Sequence, residues 1–140
     1  MIVLDTNVLS EPMKKKPEGA VIQWLDGQPA PSLWTTAITV FEIRYGLALL
    51  ARGRRRAALE KAFAVAMSED FENRILPFDA GAADHAARLA ALLKSKGKTV
   101  DIRDIEIAGI CASRKATLAT RNTRHFSDCE ISLVNPWTDK

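Results

Sequence analysis

Short apolar segments alternate with helical segments along this sequence, and this alternation constrains the fold more than any other feature. The candidate strands are residues 2–4, 33–36, 74–78, 116–120 and 131–135. The candidate helices are residues 20–25, about 39–51, about 55–70, 80–95 and 102–114, with a helical turn near 121–126. Strands that alternate with helices form mostly parallel sheets that helices cover on both faces. The sequence therefore predicts a three-layer α/β/α fold with a mostly parallel sheet of four to five strands.

Composition and length limit the class of protein. The 140 residues suffice for one domain with a buried core, which we expect to span 1–140. The 47% hydrophobic and 26% charged content excludes a disordered chain. A net charge of +3 permits a nucleic-acid partner without requiring one. Glu42 and Arg44 interrupt the longest apolar stretch, and no basic segment precedes the first, so we expect a cytoplasmic protein without a membrane partner.

The soft metal ligands of the sequence are few. Cys111, Cys129, His85 and His125 are its only cysteines and histidines, and their spacing is not that of a zinc site. Two cysteines in an ordinary core suit a reducing compartment. Cys111 lies within the apolar segment IAGICAS, so we expect a small buried side chain there.

Three acidic residues lie where an apolar segment ends or a helix begins. Asp5 follows the first strand, Glu42 lies in the first turn of the helix after LWTT, and Asp104 lies in the first turn of the helix before ATLAT. If these helix starts converge at one sheet edge, three carboxylates share a pocket. Because like charges repel one another at short range, such a pocket needs a bound cation to keep all three carboxylates ionised. Mg²⁺ or Mn²⁺ prefers such oxygen ligands and would favour phosphodiester hydrolysis.

Each of the first two carboxylates also has a purely structural interpretation. Asp5 could cap the short helix that follows it, a role that Thr6 or Asn7 could also take. The segment TVFE matches a capping box, in which Glu42 accepts from the backbone N–H of Thr39, the first residue of the 39–51 helix. That helix is apolar on nearly all sides, which predicts burial, in part against a second subunit.

Asp101 and Asp104 are three residues apart, which places them about 60° apart around a helix. The structural interpretation is that Asp101 caps this helix and Asp104 stabilises its dipole. Capping alone does not require Asp104 to lie between two isoleucines, where a half-buried site is expected.

Six segments carry a family pattern: MIVLDTNVLSEP, TTAITVFEIRYG, RILPFD, DIRDIEIAGIC, TLATRNTRHF and VNPW. In this order and spacing they resemble PIN-domain ribonucleases, and most closely VapC toxins of the FitB-like branch of toxin–antitoxin systems. The resemblance covers essentially the whole chain. It implies an acidic site for one or two Mg²⁺ or Mn²⁺ ions and metal-dependent endonucleolytic cleavage of RNA, with tRNA or ribosomal RNA as the substrate class.

The resemblance also implies roles for particular residues. The family's acidic positions fall on Asp5, Glu42 and Asp104. Asp5 and Asp104 are implied as metal ligands, while Glu42 binds metal directly or through water, or positions the attacking water. The accessory positions near the site are Thr6, Asn7 and Thr120.

The chain departs from the family pattern at three positions. Asn122 stands where relatives often carry a fourth acid, and because it brings no charge it weakens the case for a second metal. Asp101 replaces a small or hydroxyl residue and could compensate in part, although a helix cap is the favoured role. His125 stands where relatives often carry Asp, and we interpret it as a surface residue rather than a proton shuttle.

Further positive charges suggest contacts with RNA. Arg121 and Arg124 flank the predicted site and are candidates for RNA phosphate contacts. The basic runs 14–16 and 51–56 are either solvated surface or additional contacts. By resemblance, the partners are a VapB-like antitoxin and a second copy, in a homodimer or a larger assembly. The antitoxin's arginine can enter the acidic pocket, where a guanidinium pairs with carboxylates.

Two other functions stay open. A HAD-like phosphatase would use Asp5 as its nucleophile, because a strand ending in Asp followed by TNV resembles that opening. That opening needs a second acid two residues on, where this chain has Asn7, and it leaves Glu42 without a role. The other alternative is a catalytically weak PIN-fold module that binds RNA or protein, which Asn122 favours.

Overall fold

The computed structural model describes residues 1–139, and its centre is a five-stranded sheet in which every pairing is parallel. The strands are β1 (Ile2–Leu4), β2 (Leu33–Thr36), β3 (Ile75–Leu76), β4 (Thr117–Ala119) and β5 (Ser132–Val134). Their order is β3-β2-β1-β4-β5, so the chain changes direction across the sheet between β1 and β4. This confirms the predicted parallel sheet. Pro77 follows directly after β3, which lies at the sheet edge, where a proline costs no ladder hydrogen bond.

Helices cover both faces of the sheet. They are α1 (Thr6–Ser10), α2 (Gly19–Asp26), α3 (Ala37–Ala48), α4 (Arg54–Val65), α5 (Ala80–Ser95), α6 (Ile102–Arg114) and α7 (Thr123–Phe126). Short 3-10 turns follow at Glu11–Met13 and Ala30–Ser32, and a π-helical turn at Ala66–Asp70 extends α4. Among residues 1–139, none of these helices has the length and apolar character needed to cross a membrane.

The core has two halves, one on each face of the sheet. Val3 and Leu118 point to the half that α5 and α6 cover, whereas Leu4 and Ala119 point to the half that α1 to α4 cover. Successive strand residues face opposite sides, so strands covered on both faces are apolar throughout. The predicted three-layer arrangement is therefore confirmed.

Helices α5 and α6 pack closely because α6 carries a glycine at the contact. A Cβ atom on Gly109 would lie 2.6 Å from the Ala82 carbonyl oxygen and 2.7 Å from the Ala86 Cβ. Backbone atoms cannot move away as the end of a flexible side chain can. Gly109 thus fixes the spacing of the helix pair, and α6 carries Asp104.

Replacing Gly109 by alanine is expected to lower the free energy of unfolding by about 2 kcal/mol, because α5 and α6 must separate to admit the methyl group. Urea unfolding followed by circular dichroism measures the change. Gly46→Ala is the matched control in α3, because a Cβ there meets nothing within 4 Å. That control should raise stability by about 0.5 kcal/mol through helix propensity. A Gly109→Ala protein as stable as wild type would contradict the tight contact.

Helix α3 differs from its prediction in position and in burial. It begins at Ala37 and ends at Ala48, and Thr36 caps it by accepting from the Thr39 N–H at 3.1 Å. The exposed fractions of Phe41, Tyr45 and Leu49 are 58%, 53% and 68%. In a single copy of the protein, α3 is therefore exposed on one face, and the prediction that it is buried on nearly all sides was wrong there.

The remaining helix ends follow the sequence closely. Asp79 caps α5 by accepting from the Ala82 N–H at 2.9 Å. Gly97 follows α5 with a φ of +72°, a left-handed conformation that favours glycine at a helix stop. Asp101 caps α6 by accepting from the Arg103 N–H at 2.8 Å. The Asp101 cap confirms the structural interpretation of that residue.

The two cysteines are buried and free. Burial raises the pKa of the Cys111 thiol to about 12 and that of the Cys129 thiol to about 11. Both thiols are therefore protonated at neutral pH. Cys111 is a small buried side chain, as predicted.

Candidate functional site

Asp5 lies at the carboxyl end of the central strand β1, and its exposed fraction is only 5%. Its Oδ1 accepts from the Thr6 N–H at 2.9 Å, and its Oδ2 accepts from the Thr120 hydroxyl at 2.7 Å. Asp5 itself therefore caps α1, and the alternative caps, Thr6 and Asn7, were wrong. Burial raises the pKa of Asp5, although the hydrogen bonds from Thr120 and Thr6 act against it.

The loop after β4 is tied to the loop after β1. Thr120 follows β4, and its hydroxyl accepts from the Asn122 N–H at 3.0 Å while it donates to Asp5. The Asn7 side-chain oxygen accepts from the Arg121 N–H at 3.0 Å. These contacts hold both loops at the point between β1 and β4 where α/β sheets characteristically bind ligands.

Glu42 lies on α3 and faces Thr6 at the start of α1. The Thr6 hydroxyl donates to the Glu42 Oε1 at 3.1 Å, while the Thr6 N–H binds Asp5. Burial raises the pKa of Glu42, and the negative charges of Asp5 and Asp104 raise it further, against the hydrogen bond from Thr6 and the charge of Arg103. The capping-box interpretation of Glu42 was wrong, because α3 begins two residues before Thr39.

Asp104 enters the same region from the first turn of α6. Its carboxylate is half-buried, and its Oδ2 lies 3.4 Å from the Nδ1 of His125. Burial and the charge of Asp5 raise the pKa of Asp104, and His125 acts against them. His125 is on the surface, as predicted, and it also contacts this carboxylate.

The carboxyl groups of Glu42 and Asp104 lie close enough to Asp5 for its charge to act on both. Asp5 raises the pKa of Asp104, and both raise the pKa of Glu42. Within residues 1–139, no three histidine, cysteine or acidic side chains already form a group that could hold one ion. The oxygen donors nevertheless fit a hard divalent cation, whose charge would relieve the repulsion that raises these pKa values.

Arg103 is a site residue that the sequence analysis did not single out. Its Nη1 lies 3.6 Å from the Glu42 Oε2, and its Nε lies 3.3 Å from the Asp101 Oδ1. The only signal in the sequence was its position directly before Asp104. Asp101 is exposed and engaged by Arg103, so its predicted accessory role toward a metal stays a prediction.

Replacing Arg103 by glutamine is expected to tighten Mn²⁺ binding about threefold, because an exposed cation beside Glu42 no longer opposes the metal. Isothermal titration with MnCl₂ measures this affinity. Arg114→Gln is the control, since Arg114 pairs instead with Asp79. Equal or weaker Mn²⁺ binding by the Arg103 variant would contradict this electrostatic role.

The two arginines proposed to contact RNA have different surroundings. The Arg121 guanidinium lies over the Trp137 ring, 5.0 Å from its centroid, a cation–π arrangement. Arg124 lines a cavity that also includes Asp104. The structure therefore brings Arg124 next to the acidic residues.

A second buried acidic residue, Glu11, accounts for one lysine of the basic run 14–16. Glu11 is 3% exposed, accepts from the Glu18 N–H at 3.0 Å and pairs with Lys14 at 2.8 Å. The hydrogen bond from Lys14 holds the pKa of Glu11 below its usual value. Glu11 was not among the residues predicted from the sequence, where its three-residue spacing to Lys14 was the available signal. In the run 51–56, Arg56 likewise pairs with Glu60 at 2.7 Å.

Comparisons with known proteins show the family and the fold. The family pattern of the PIN domain matches residues 2–130. The toxin FitB of Neisseria gonorrhoeae is 37% identical over 139 residues, which cover 99% of this chain and 100% of that protein. The VapC ribonuclease Y4jK of Sinorhizobium fredii is 39% identical over 137 residues, or 98% of each chain. The solved structure of FitAB bound to an IR36 DNA fragment superposes with a TM-score of 0.93 at 36% identity, covering 100% of this chain and 98% of that chain.

Proposed function

This chain belongs to the PIN domain family, in which it groups with the FitB and VapC toxins, and from that premise we propose that it is a metal-dependent endoribonuclease. It would act as the toxin of a toxin–antitoxin pair, with residues 1–140 forming one domain. The observation that carries the proposal is the convergence of Asp5, Glu42 and Asp104 at the turning point of the parallel sheet, where the charge of Asp5 raises the pKa of the other two carboxyl groups.

In this proposal, Asp5 and Asp104 hold a Mg²⁺ or Mn²⁺ ion, and Glu42 holds it directly or through water. When bound, such an ion lowers the pKa of water and stabilises charge on the phosphate. Asn122, which carries no charge, would bind at most a metal-bound water, so one strong metal site is expected. Asp101 and Asn7 remain accessory candidates.

Two threonines would orient the acidic residues. Thr120 donates to the Asp5 Oδ2 while the Thr6 N–H donates to the Oδ1, which fixes the plane of the Asp5 carboxylate. The Thr6 hydroxyl does the same for Glu42. Carboxylates held in this way are ready to bind a cation without reorganisation, as a catalytic metal site requires.

An RNA cleavage assay tests the proposal. Purified protein is incubated with total RNA in MgCl₂, in MnCl₂ and in EDTA, and we expect cleavage in the metal salts only. A phosphatase would instead leave an acyl-phosphate on Asp5. A binding module would retain RNA without cleaving it in any divalent salt. Either result would replace the proposed activity.

We further propose a VapB-like antitoxin as the partner and the cytoplasm as the location. The similarity to FitB and to the FitAB structure supports the first, since that structure is of a complex. A guanidinium from the antitoxin would suit the acidic pocket, because it pairs with carboxylates and competes with a metal. Co-purification with the product of a neighbouring reading frame tests this pairing.

The exposed face of α3 supports a homodimer. Phe41, Tyr45 and Leu49 recur every four residues, and the rings of Phe41 and Tyr45 stack with centroids 5.9 Å apart. Such an apolar stripe is typical of a surface that a second protein covers. Light scattering of the purified chain measures its assembly state.

A further inference from the structure

A cavity of about 390 Å³ opens beside Asp104, between the end of α5, the start of α6 and α7. Arg124 and His125 line it on the α7 side, and Lys98 and Thr99 line it from the loop that follows α5. Leu93 forms a buried apolar part of the lining. Three aspartates, Asp101, Asp104 and Asp128, also line it, so the cavity adjoins the acidic site and combines cationic, acidic and apolar surface.

We propose that this cavity holds one nucleotide of single-stranded RNA next to the bond that is cleaved. The phosphate would bind Arg124, and the base would lie toward Leu93 and Val100. This inference rests on the proposed ribonuclease function and adds a binding subsite to it. It distinguishes Arg124 from Arg121, whose guanidinium is stacked over Trp137.

Two of the three carboxylates that line the cavity have cationic partners, and the third, Asp104, would hold the metal ion in the proposed function. Lys98 pairs with Asp128, and Arg103 pairs with Asp101. Lys98 holds the pKa of Asp128 below its usual value, so this carboxylate is charged and compensated.

Arg124 is the remaining cation at the cavity wall. Within residues 1–139 it forms no ion pair, and its side chain is exposed. An uncompensated guanidinium at the entrance of a cavity is a ready partner for a phosphate, with which it forms two parallel hydrogen bonds.

The size of the cavity also favours a single nucleotide. Pockets for small ligands begin at about 300 Å³, so this cavity admits one nucleotide and excludes a duplex. Proteins recognise single-stranded RNA by placing unstacked bases against side chains while cations contact the backbone. The position next to Asp104 would seat such a base beside the reacting phosphate.

Binding measurements on Asp5→Asn protein test the subsite independently of cleavage. The probes are AMP, CMP, GMP and UMP, followed by amide chemical shifts, and a labelled eight-nucleotide RNA, followed by anisotropy. We expect mononucleotides to shift the amides of Lys98 and Thr99. Adding Arg124→Gln should weaken binding of the eight-nucleotide RNA about tenfold. It should also reduce the slope of log K, where K is the association constant, against the logarithm of the salt concentration by about 0.7, the value for one phosphate contact. Arg88→Gln is the control, because Arg88 pairs with Asp84 on α5.

A second variant fills the cavity without changing charge. Thr99→Leu, which adds bulk without an aromatic ring on which a base could stack, should abolish the mononucleotide shifts at Lys98, whereas Thr99→Ser should retain them, and circular dichroism checks that both proteins fold. Shifts that persist in Thr99→Leu, or an unchanged salt slope in Arg124→Gln, would overturn the subsite. RNA cleavage by the wild type with no mononucleotide binding would reject the subsite and leave the ribonuclease function intact. Mononucleotide binding here with no RNA cleavage in any metal salt would support the subsite and reject the function.

Discussion

Replacing Asp5 by asparagine is expected to reduce RNA cleavage about 10³-fold while the protein stays folded. The loss follows because a metal-binding carboxylate contributes several kcal/mol to the stabilisation of transition-state charge, and each 1.4 kcal/mol is a factor of ten. Asparagine is as good a helix cap as aspartate, so its side-chain oxygen keeps the bond to the Thr6 N–H that starts α1. Initial rates on labelled RNA in MnCl₂ measure the effect.

Asp84→Asn is the matched control, because Asp84 lies exposed on α5 and pairs only with Arg88 among residues 1–139. It should cleave at the wild-type rate. The same three proteins can be expressed in cells, where wild type and Asp84→Asn should arrest growth and Asp5→Asn should not. Co-expression of the neighbouring reading frame should relieve the arrest. An Asp5→Asn protein as active and as toxic as wild type would refute metal-dependent cleavage at this site.

Much of the fold could be predicted because its signals are local. The run Ile2–Leu4 is apolar on both faces, as a central parallel strand must be, and helix α6 at Ile102–Arg114 has the bounds that its periodicity indicated. Gly97 and Asp79 mark helix ends through backbone conformation and capping, which depend on neighbouring residues only. The alternation of such elements then limits the sheet to a parallel arrangement.

The errors arise where distant residues decide the outcome. Thr36 and Thr39 are both good caps, and the sheet selects Thr36, because β2 ends there. Glu42 consequently lies one turn further into α3, where it meets Thr6 from a segment 36 residues away. No local pattern in the sequence reports that contact.

In the candidate site, too, local signals predicted some residues, and contacts between distant segments decided the others. The positions of Asp5 and Asp104 followed from strand and helix ends, which meet at one edge of a parallel sheet. Arg103 was missed because its role depends on α3 and α6 being neighbours. Glu11 was missed because a buried glutamate is recognisable only when its partners, here Lys14 and the Glu18 N–H, are known.

Saturating Mn²⁺ is expected to raise the free energy of unfolding of the wild-type protein by about 3 kcal/mol. In Asp5→Asn the increase should be much smaller. A ligand that binds only the folded state stabilises it by RT ln(1 + [L]/Kd), which is about 2.7 kcal/mol at one hundred times Kd. For a domain of this length the expected rise in melting temperature is about 8 °C. Calorimetry in MnCl₂ and in EDTA, with Asp84→Asn as control, measures it. Equal shifts in wild type and Asp5→Asn would place the metal elsewhere.

Without metal, the repulsion among these carboxylates should destabilise the folded protein, and the free energy of unfolding should then depend on pH. Folding raises the pKa values of Asp5, Glu42 and Asp104, so the folded state retains protons that the unfolded state has already released. The free energy of unfolding therefore falls as pH rises from the unfolded pKa values, near 4, through the raised folded values. Asp5→Asn removes one of these groups. In EDTA the stability of the variant relative to wild type should therefore increase by about 1 kcal/mol between pH 3 and pH 8, whatever constant cost follows from losing the hydrogen bond that the Thr120 hydroxyl donates to Asp5.

The stabilisation by Mn²⁺ and the pH dependence in EDTA have the same cause, which is the charge of Asp5 in the folded protein. Measured together, they distinguish a metal-binding carboxylate from one that only stabilises the fold. A carboxylate that only capped α1 would lose nothing in EDTA on conversion to asparagine, and would respond to Mn²⁺ as its variant does. A carboxylate held among like charges destabilises the empty fold and is stabilised when a cation arrives. If the stabilities of wild type and Asp5→Asn in EDTA change in parallel between pH 3 and pH 8, Asp5 is not a carboxylate whose charge the empty fold disfavours, and it serves the fold rather than a cation.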